Sequence, residues 1–342
     1  MFYVRIYVTY KESLIKMNLM ITNYCNLHCN YCFAQEEMNS KKAMNITMEN
    51  FCIFLDFLKK NRIRDVRLIG GEPTLHPNFK ELIEKILDYN YFKEIVIFTN
   101  LTFNHEIAEF LVKANEKILI SLLPNINDLD LILPNQKEKV VNNLEYLSQY
   151  LRTFDRISIN IFDPNQDLDK WENIICKYNI KSIRWSIVAP NYEVTEDFDF
   201  YSYFHQFQPL LIEMANWKLK YGIELDSDCA NFPFCCIDDW ALVYIEKIYK
   251  NFFGTLSTCE NIVGDVAPDL TTRECFVSTD KNKIKLTDFE NFAQFYAYYH
   301  EIRAERFKNK IARKECLKCP TYLTYGRSCC CFGYQVKEKL ND

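Results

Sequence analysis

The chain has 342 residues, 49% apolar and 15% aromatic, which suits one large domain with a smaller one. A net charge of −5 does not support nucleic acid as the main partner, since phosphate binding needs a basic face. The N-terminus lacks a signal-peptide core, and no run reaches the roughly 18 apolar residues of a membrane span, so a cytoplasmic protein without membrane contact is expected.

In chain order, Asn18–Asn23 reads as an apolar strand running into Cys25, Cys29 and Cys32. Thr47 is a candidate N-cap, and Phe51, Phe54, Leu55 and Leu58 follow at helical spacing. Val66–Ile69 is a short strand ending in Gly70-Gly71-Glu72-Pro73, and Phe79, Leu82, Ile83, Ile86 and Leu87 mark the next helix. Strands at Glu94–Phe98, Lys117–Leu123, Arg156–Phe162 and Ser182–Val188 alternate with helical stripes at Glu106–Lys113, Val140–Leu151 and Asp169–Lys177. This alternation is the sequence form of right-handed parallel βα units and predicts an α/β fold, a partial (β/α)6 barrel. Chemistry in such folds gathers at the C-terminal strand ends, so the cysteine loop and the Gly-Gly-Glu-Pro turn are expected at one mouth.

Beyond Pro190 the pattern changes. One long aromatic helix is expected over Phe200–Lys220, within a linking segment 196–225. The partial barrel is assigned to residues 1–195, and residues 226–342 to a cysteine-rich, mostly irregular domain holding ten of the fifteen cysteines. An odd cysteine count without an export signal points to metal rather than disulfides. Cys52 and Cys176 read as packing residues.

Three cysteines spaced by three and then two residues can bind three corners of a [4Fe–4S] cubane and leave one iron open to substrate. The alternative is zinc, for which His28 is a nearby ligand type. Cys25-x3-Cys29-x2-Cys32 followed by Phe33, with Gly70-Gly71-Glu72-Pro73 after the second strand, resembles the radical S-adenosylmethionine (SAM) superfamily. The resemblance implies that the three cysteines hold a [4Fe–4S] cluster whose open iron binds SAM. It also implies that Gly70, Gly71, Glu72 and Pro73 hold the methionyl ammonium, glycines permitting close backbone approach. Ser121 in "ISLLPN" and Asn160 in "SINIF" are further candidate SAM contacts. Leu123 stands where family members carry an acid, and Asn160 reads equally as a strand residue satisfied by backbone. SAM cleavage would yield a 5′-deoxyadenosyl radical that takes hydrogen from substrate.

The tail resembles the SPASM or twitch extension, which carries one or two auxiliary [4Fe–4S] clusters. Cys259 and Cys275 bracket a "PDG"-like turn with Leu270 in the glycine position, so a different turn is expected there. Cys316 and Cys319 resemble the following C-x2-C. Cys229, Cys235, Cys329 and Cys331 are the remaining candidate ligands, although the gap of nine before Cys329 departs from the family. Structural zinc on Cys316, Cys319, Cys329 and Cys331 is the alternative. Asp226 and Asp228 are candidate proton acceptors, with a solvated surface as the plainer reading. The resemblance implies a ribosomally made peptide or protein as substrate, modified or crosslinked oxidatively. The alternative is a small-molecule dehydrogenase or rearrangement enzyme. It also implies an external electron donor such as flavodoxin or ferredoxin. With only about seventeen residues before the first strand, a separate leader-peptide-binding protein or a leaderless mode is expected.

Overall fold

The computed structural model describes residues 16–29, 31–32, 44–126, 129, 132–188, 199–227, 233–249, 264–273, 284–308, 310–312, 314–318 and 334–336. Six expected strands are present: β1 Met17–Thr22, β2 Asp65–Gly70, β3 Glu94–Thr99, β4 Leu119–Pro124, β5 Arg156–Ile161 and β6 Ser182–Ile187. Between them run α1 Met48–Lys60, α2 Phe79–Asp88, α3 His105–Ala114, α4 Pro134–Tyr150 and α5 Asp169–Tyr178. Thr47 caps α1 as its chemistry predicts, its hydroxyl oxygen accepting from the Asn50 amide at 3.1 Å.

β1 to β4 pair in parallel, and so do β5 and β6. A parallel bridge between Asn125 and Ser158 joins the two groups, giving an α/β parallel sheet that curves without closing. Alternate strand residues divide between two faces. Ile157, Ile159 and Ile161 of β5, like Leu19 and Ile21 of β1, belong to the main apolar core under the helices. The opposite, inner face carries a small cluster of Met20 and Ile69, with Cys32 and Phe98 packed on it. The guanidinium carbons of Arg67 and Arg184 lie 5.3 and 5.1 Å from the Phe98 ring centre.

The expected single helix over Phe200–Lys220 is instead two, α6 Phe200–His205 and α7 Gln208–Tyr221. Pro209 lies in the first turn of α7. It has no N–H to continue the preceding ladder and its ring would crowd the carbonyl four residues back, so the chain restarts at a helix start where proline is tolerated. α7 ends on Gly222 at φ +68°, whose amide caps Lys218 O.

A seventh parallel strand, β7 Glu224–Ser227, pairs with β6. After α8 Asp239–Ile248, β8 Gly264–Val266 pairs in parallel with the other edge of β1, and β9 Thr272–Arg273 follows antiparallel. Leu270, in the glycine position of the "PDG"-like turn, takes φ +65° with its amide donating to Ala267 O at 2.9 Å. The backbone thus keeps the conformation a glycine would adopt. Burial of the leucine side chain in the core compensates for the strain, which corrects the expectation of a different turn. α9 Phe292–Lys308, β10 Lys310–Ala312, α10 Lys314–Leu317 and β11 Tyr334–Val336 complete the described elements. No helix among the described residues is long and apolar enough to cross a membrane.

Candidate active site

The cysteine loop leaves the C-terminal end of β1 beside the turn that leaves β2. Two backbone hydrogen bonds join them: the Gly71 amide donates to Thr22 O at 2.9 Å and the Glu72 amide to Tyr24 O at 2.8 Å. A Cβ on Gly70 would lie 2.5 Å from Thr22 O, and one on Gly71 would lie 2.3 Å from Tyr24 O. The missing side chains therefore let the cysteine loop itself approach the turn.

Glu72 is fully buried. Its Oε1 accepts from the Thr74 amide (3.2 Å), the Thr74 hydroxyl (2.6 Å) and the Thr99 hydroxyl (2.8 Å), and its Oε2 accepts from the Asn100 amide (2.7 Å). Burial pushes this carboxyl above the usual carboxylate range, with those donors pulling against it. The carboxylate ties the turn after β3 to the turn after β2. The loop is gripped from further elements too. Asn26 Nδ2 donates to Thr102 Oγ1 at 2.8 Å, and Gln136 Nε2 of α4 donates to Asn26 O at 2.9 Å.

Cys25, Cys29 and Cys32 are all half-buried on this one loop. The Cys32 amide donates to Cys29 O at 3.1 Å, folding the second spacing into a tight turn. The Leu27 amide donates to Cys25 Sγ at 3.4 Å. Burial pushes the Cys25 thiol up to about 11, the Leu27 amide opposing it and the charges of Glu72 and Cys32 adding to it. Among the described residues, no three His, Cys, Asp or Glu side chains form a site for a single metal ion. Three thiols on one short loop are the kind of donor set that an iron–sulfur cluster takes, one thiolate per iron.

The other expected contacts are spread around the sheet. The Ser121 hydroxyl donates to Glu94 Oε1 at 2.6 Å. Asn160 Oδ1 accepts from the Ser186 hydroxyl at 2.7 Å. Asp226 Oδ2 lies 3.6 Å from a guanidinium nitrogen of Arg156, an exposed ion pair. Cys235 is exposed, while its neighbour Cys236 is buried in the core; Cys316 is buried. Phe33, Asp228, Cys229, Cys259, Cys275, Cys319, Cys329 and Cys331 lie outside the described residues.

Three features were not anticipated from sequence. Tyr31, between the second and third cysteines, stacks on Phe162 at the end of β5, with ring centres 4.9 Å apart and planes 22° apart. Ser158 is 7% exposed, and its hydroxyl has no partner among the described residues. Asn100 links Glu72 to the cysteine loop, and the polar run "TNLT" after β3 was the available signal.

Residues 19–175 match the Radical SAM superfamily. This stretch is a radical SAM domain. It takes in the cysteine loop, the Gly-Gly-Glu-Pro turn and the first five strands. Among its relatives, an uncharacterized protein of Methanocaldococcus jannaschii is 28% identical over 284 residues, covering 78% of this chain and 90% of that protein. The GTP 3′,8-cyclase of Aquifex aeolicus is 28% identical over 142 residues, covering 41% of this chain and 42% of the cyclase. The chain thus spans less than half the length of that enzyme. Among solved structures, Streptococcus suis SuiB bound to S-adenosylmethionine superimposes with a TM-score of 0.60 at 14% identity, over 90% of this chain and 71% of SuiB. At that identity the likeness is one of fold.

Proposed function

We propose that the chain is a radical SAM enzyme that takes hydrogen from a ribosomally made peptide or a protein side chain, for oxidative modification or crosslinking. The joining of the three-cysteine loop to Gly71 and Glu72 by paired backbone hydrogen bonds carries this reading. Cys25, Cys29 and Cys32 would hold a [4Fe–4S] cluster with an open iron. Gly70–Pro73, Ser121, Asn160 and Phe33 would line the SAM site. When bound, cluster and SAM supply one-electron cleavage of SAM and a 5′-deoxyadenosyl radical that abstracts hydrogen.

The chain's own residues fix the loop. Glu72, Asn26, Asn100, Thr102 and Gln136 hold the loop in place. Met20 and Ile69, with Phe98 and Cys32 packed on them, place an apolar patch beside the third cysteine. An external flavodoxin or ferredoxin would donate the electron.

The peptide assignment draws support from the fold likeness to SuiB, also solved with its precursor peptide SuiA. A separate leader-peptide-binding protein fits the same reading. The tail cysteines add to it: Cys229, Cys235, Cys259, Cys275, Cys316, Cys319, Cys329 and Cys331 are enough for two auxiliary clusters in a domain 226–342, beyond the barrel 1–195 and linker 196–225. A second reading, a small-molecule radical enzyme, is favoured by the sequence likeness to GTP 3′,8-cyclase.

The test is anaerobic reconstitution with iron and sulfide counts, for the parent and for the variant with Cys25, Cys29 and Cys32 changed to alanine. About twelve irons against about eight supports two auxiliary clusters, and about eight against four supports one. Zinc with almost no iron in both, and no 5′-deoxyadenosine from SAM, overturns the proposal. Hydrogen loss from a precursor peptide rather than from nucleoside triphosphates separates the two substrate readings.

A further inference from the structure

The turn after β3 reads Thr99-Asn100-Leu101-Thr102. Leu101 is fully buried at φ +60°, backbone that ordinarily favours glycine. Hydrogen bonds on both sides hold it there. Its amide donates to Thr99 Oγ1 at 3.1 Å, and Asn143 Nδ2 donates to Leu101 O at 2.8 Å and Phe103 O at 2.9 Å. The bend presents the Asn100 side chain to the cysteine loop.

The orientation of the Asn100 amide follows from its partners. Its Oδ1 accepts from the Thr102 amide at 3.0 Å and the Thr102 hydroxyl at 2.6 Å. A backbone N–H only donates, so the oxygen faces Thr102 and the NH2 faces the loop. Nδ2 donates to Asn26 Oδ1 at 3.1 Å and to Cys25 Sγ at 3.8 Å.

We infer that Asn100 is a positioning residue for the cluster, donating to the Cys25 sulfur and thereby raising the cluster's reduction potential. This rests on the reading of Cys25 as a cluster ligand. Reduction adds negative charge that the ligating thiolates share, so a donor at a thiolate favours the reduced state. Half-burial of Cys25 limits competition from water. The Leu27 amide also reaches this sulfur, but it belongs to the loop and moves with it. Asn100 comes from another strand and is tethered through its own amide to buried Glu72, so the position of its donor is set from outside the loop. Glu72 thereby acts on the cluster at one remove.

The experiment compares the full reconstituted chain with Asn100→Asp and Asn100→Ser. The aspartate keeps the shape and the acceptor for Thr102 but removes the donor. Redox titration is followed by electron paramagnetic resonance, using the signal lost when Cys25, Cys29 and Cys32 are all replaced. At a fixed poise, the ratio of reduced to oxidised cluster falls about tenfold in Asn100→Asp, a shift of ~59 mV to more negative potential for one electron. Asn100→Ser shifts in the same direction. Loss of this cluster from both variants, with the thermal midpoint of the iron-free protein unchanged, also supports the role. An unchanged potential in a variant that keeps the cluster overturns it. So does cluster loss accompanied by a lowered iron-free midpoint, because Asn100 would then serve the fold alone. A parent that binds no iron at the three cysteines refutes the underlying cluster assignment instead.

Discussion

Gly71→Ala tests whether the glycine pair exists for the approach of the cysteine loop. The added Cβ would lie 2.3 Å from Tyr24 O, 2.4 Å from Tyr24 C and 2.8 Å from the Cys25 nitrogen. All three are backbone atoms and cannot rotate away. Restoring ordinary contact requires the loop to retreat by roughly 1 Å. A retreat of that size breaks the 2.8 Å hydrogen bond from the Glu72 amide to Tyr24 O. The lost bond costs about 1 kcal/mol net and the overpacking about 1–3 kcal/mol, together about 2–4 kcal/mol. Urea unfolding of the iron-free protein measures this, since bound clusters would spoil a two-state transition. The midpoint should fall with little change in slope, and iron uptake on reconstitution should fall with it. A stability loss under about 0.5 kcal/mol with full iron uptake would refute the reasoning, because the loop would then not depend on that space.

Three further outcomes are expected. Glu72→Gln turns an amide donor toward donors that all need an acceptor, and should cost about 1–3 kcal/mol in the same urea assay. Gly222→Ala has open space around its Cβ but requires φ +68°, so thermal unfolding should report a backbone cost of about 1–2 kcal/mol without any change in iron uptake. His76 sits buried beside the Gly-Gly-Glu-Pro turn, with Nε2 on Ile46 O and Nδ1 accepting from the Asn78 amide. Burial lowers its folded-state pKa, so the unfolded chain binds the proton more readily. Its contribution to stability is complete above the ordinary histidine value of about 6.5 and is lost as pH falls below it; His76→Asn should flatten that part of the stability–pH curve.

The barrel strands and helices were legible because each is long enough to display its period. β1 to β6 show apolar faces two residues apart, and α1 to α5 show stripes closing every turn. β7 and β8 were not legible. Glu224–Ser227 and Gly264–Val266 are too short for alternation, and their pairing is decided by which sheet edges stand open. The break between α6 and α7 was signalled by Pro209, but the aromatic run around it reads as one continuous stripe. At the site, the cysteines and the Gly-Gly-Glu-Pro turn announce themselves by spacing. The partners of Glu72 do not, because Thr99 and Asn100 come from a different strand about 28 residues away. Tyr31 was passed over for Phe33, since its stacking partner Phe162 lies far along the chain.

The pairing of β8 with β1 sets an order of events during synthesis. Met17, Asn18 and Leu19 meet Gly264, Asp265 and Val266, and Asn18 Nδ2 donates to Asp265 Oδ1 at 2.8 Å. The strand that leads into the cysteine loop leaves the ribosome well before its partner β8. Its neighbour on that side lies 247 residues further along the chain. At ~5–20 residues per second, β1 waits roughly 12–50 s with one edge bare, the state in which strands recruit other chains. A nascent chain stalled before residue 264 would carry the cysteine loop after a strand that is paired with β2 but not yet with β8. Completion of the sheet beside β1 is therefore a late event in the life of the new chain, although the groups that seat the cysteine loop, from Gly71, Glu72, Asn100 and Gln136, all emerge well before β8.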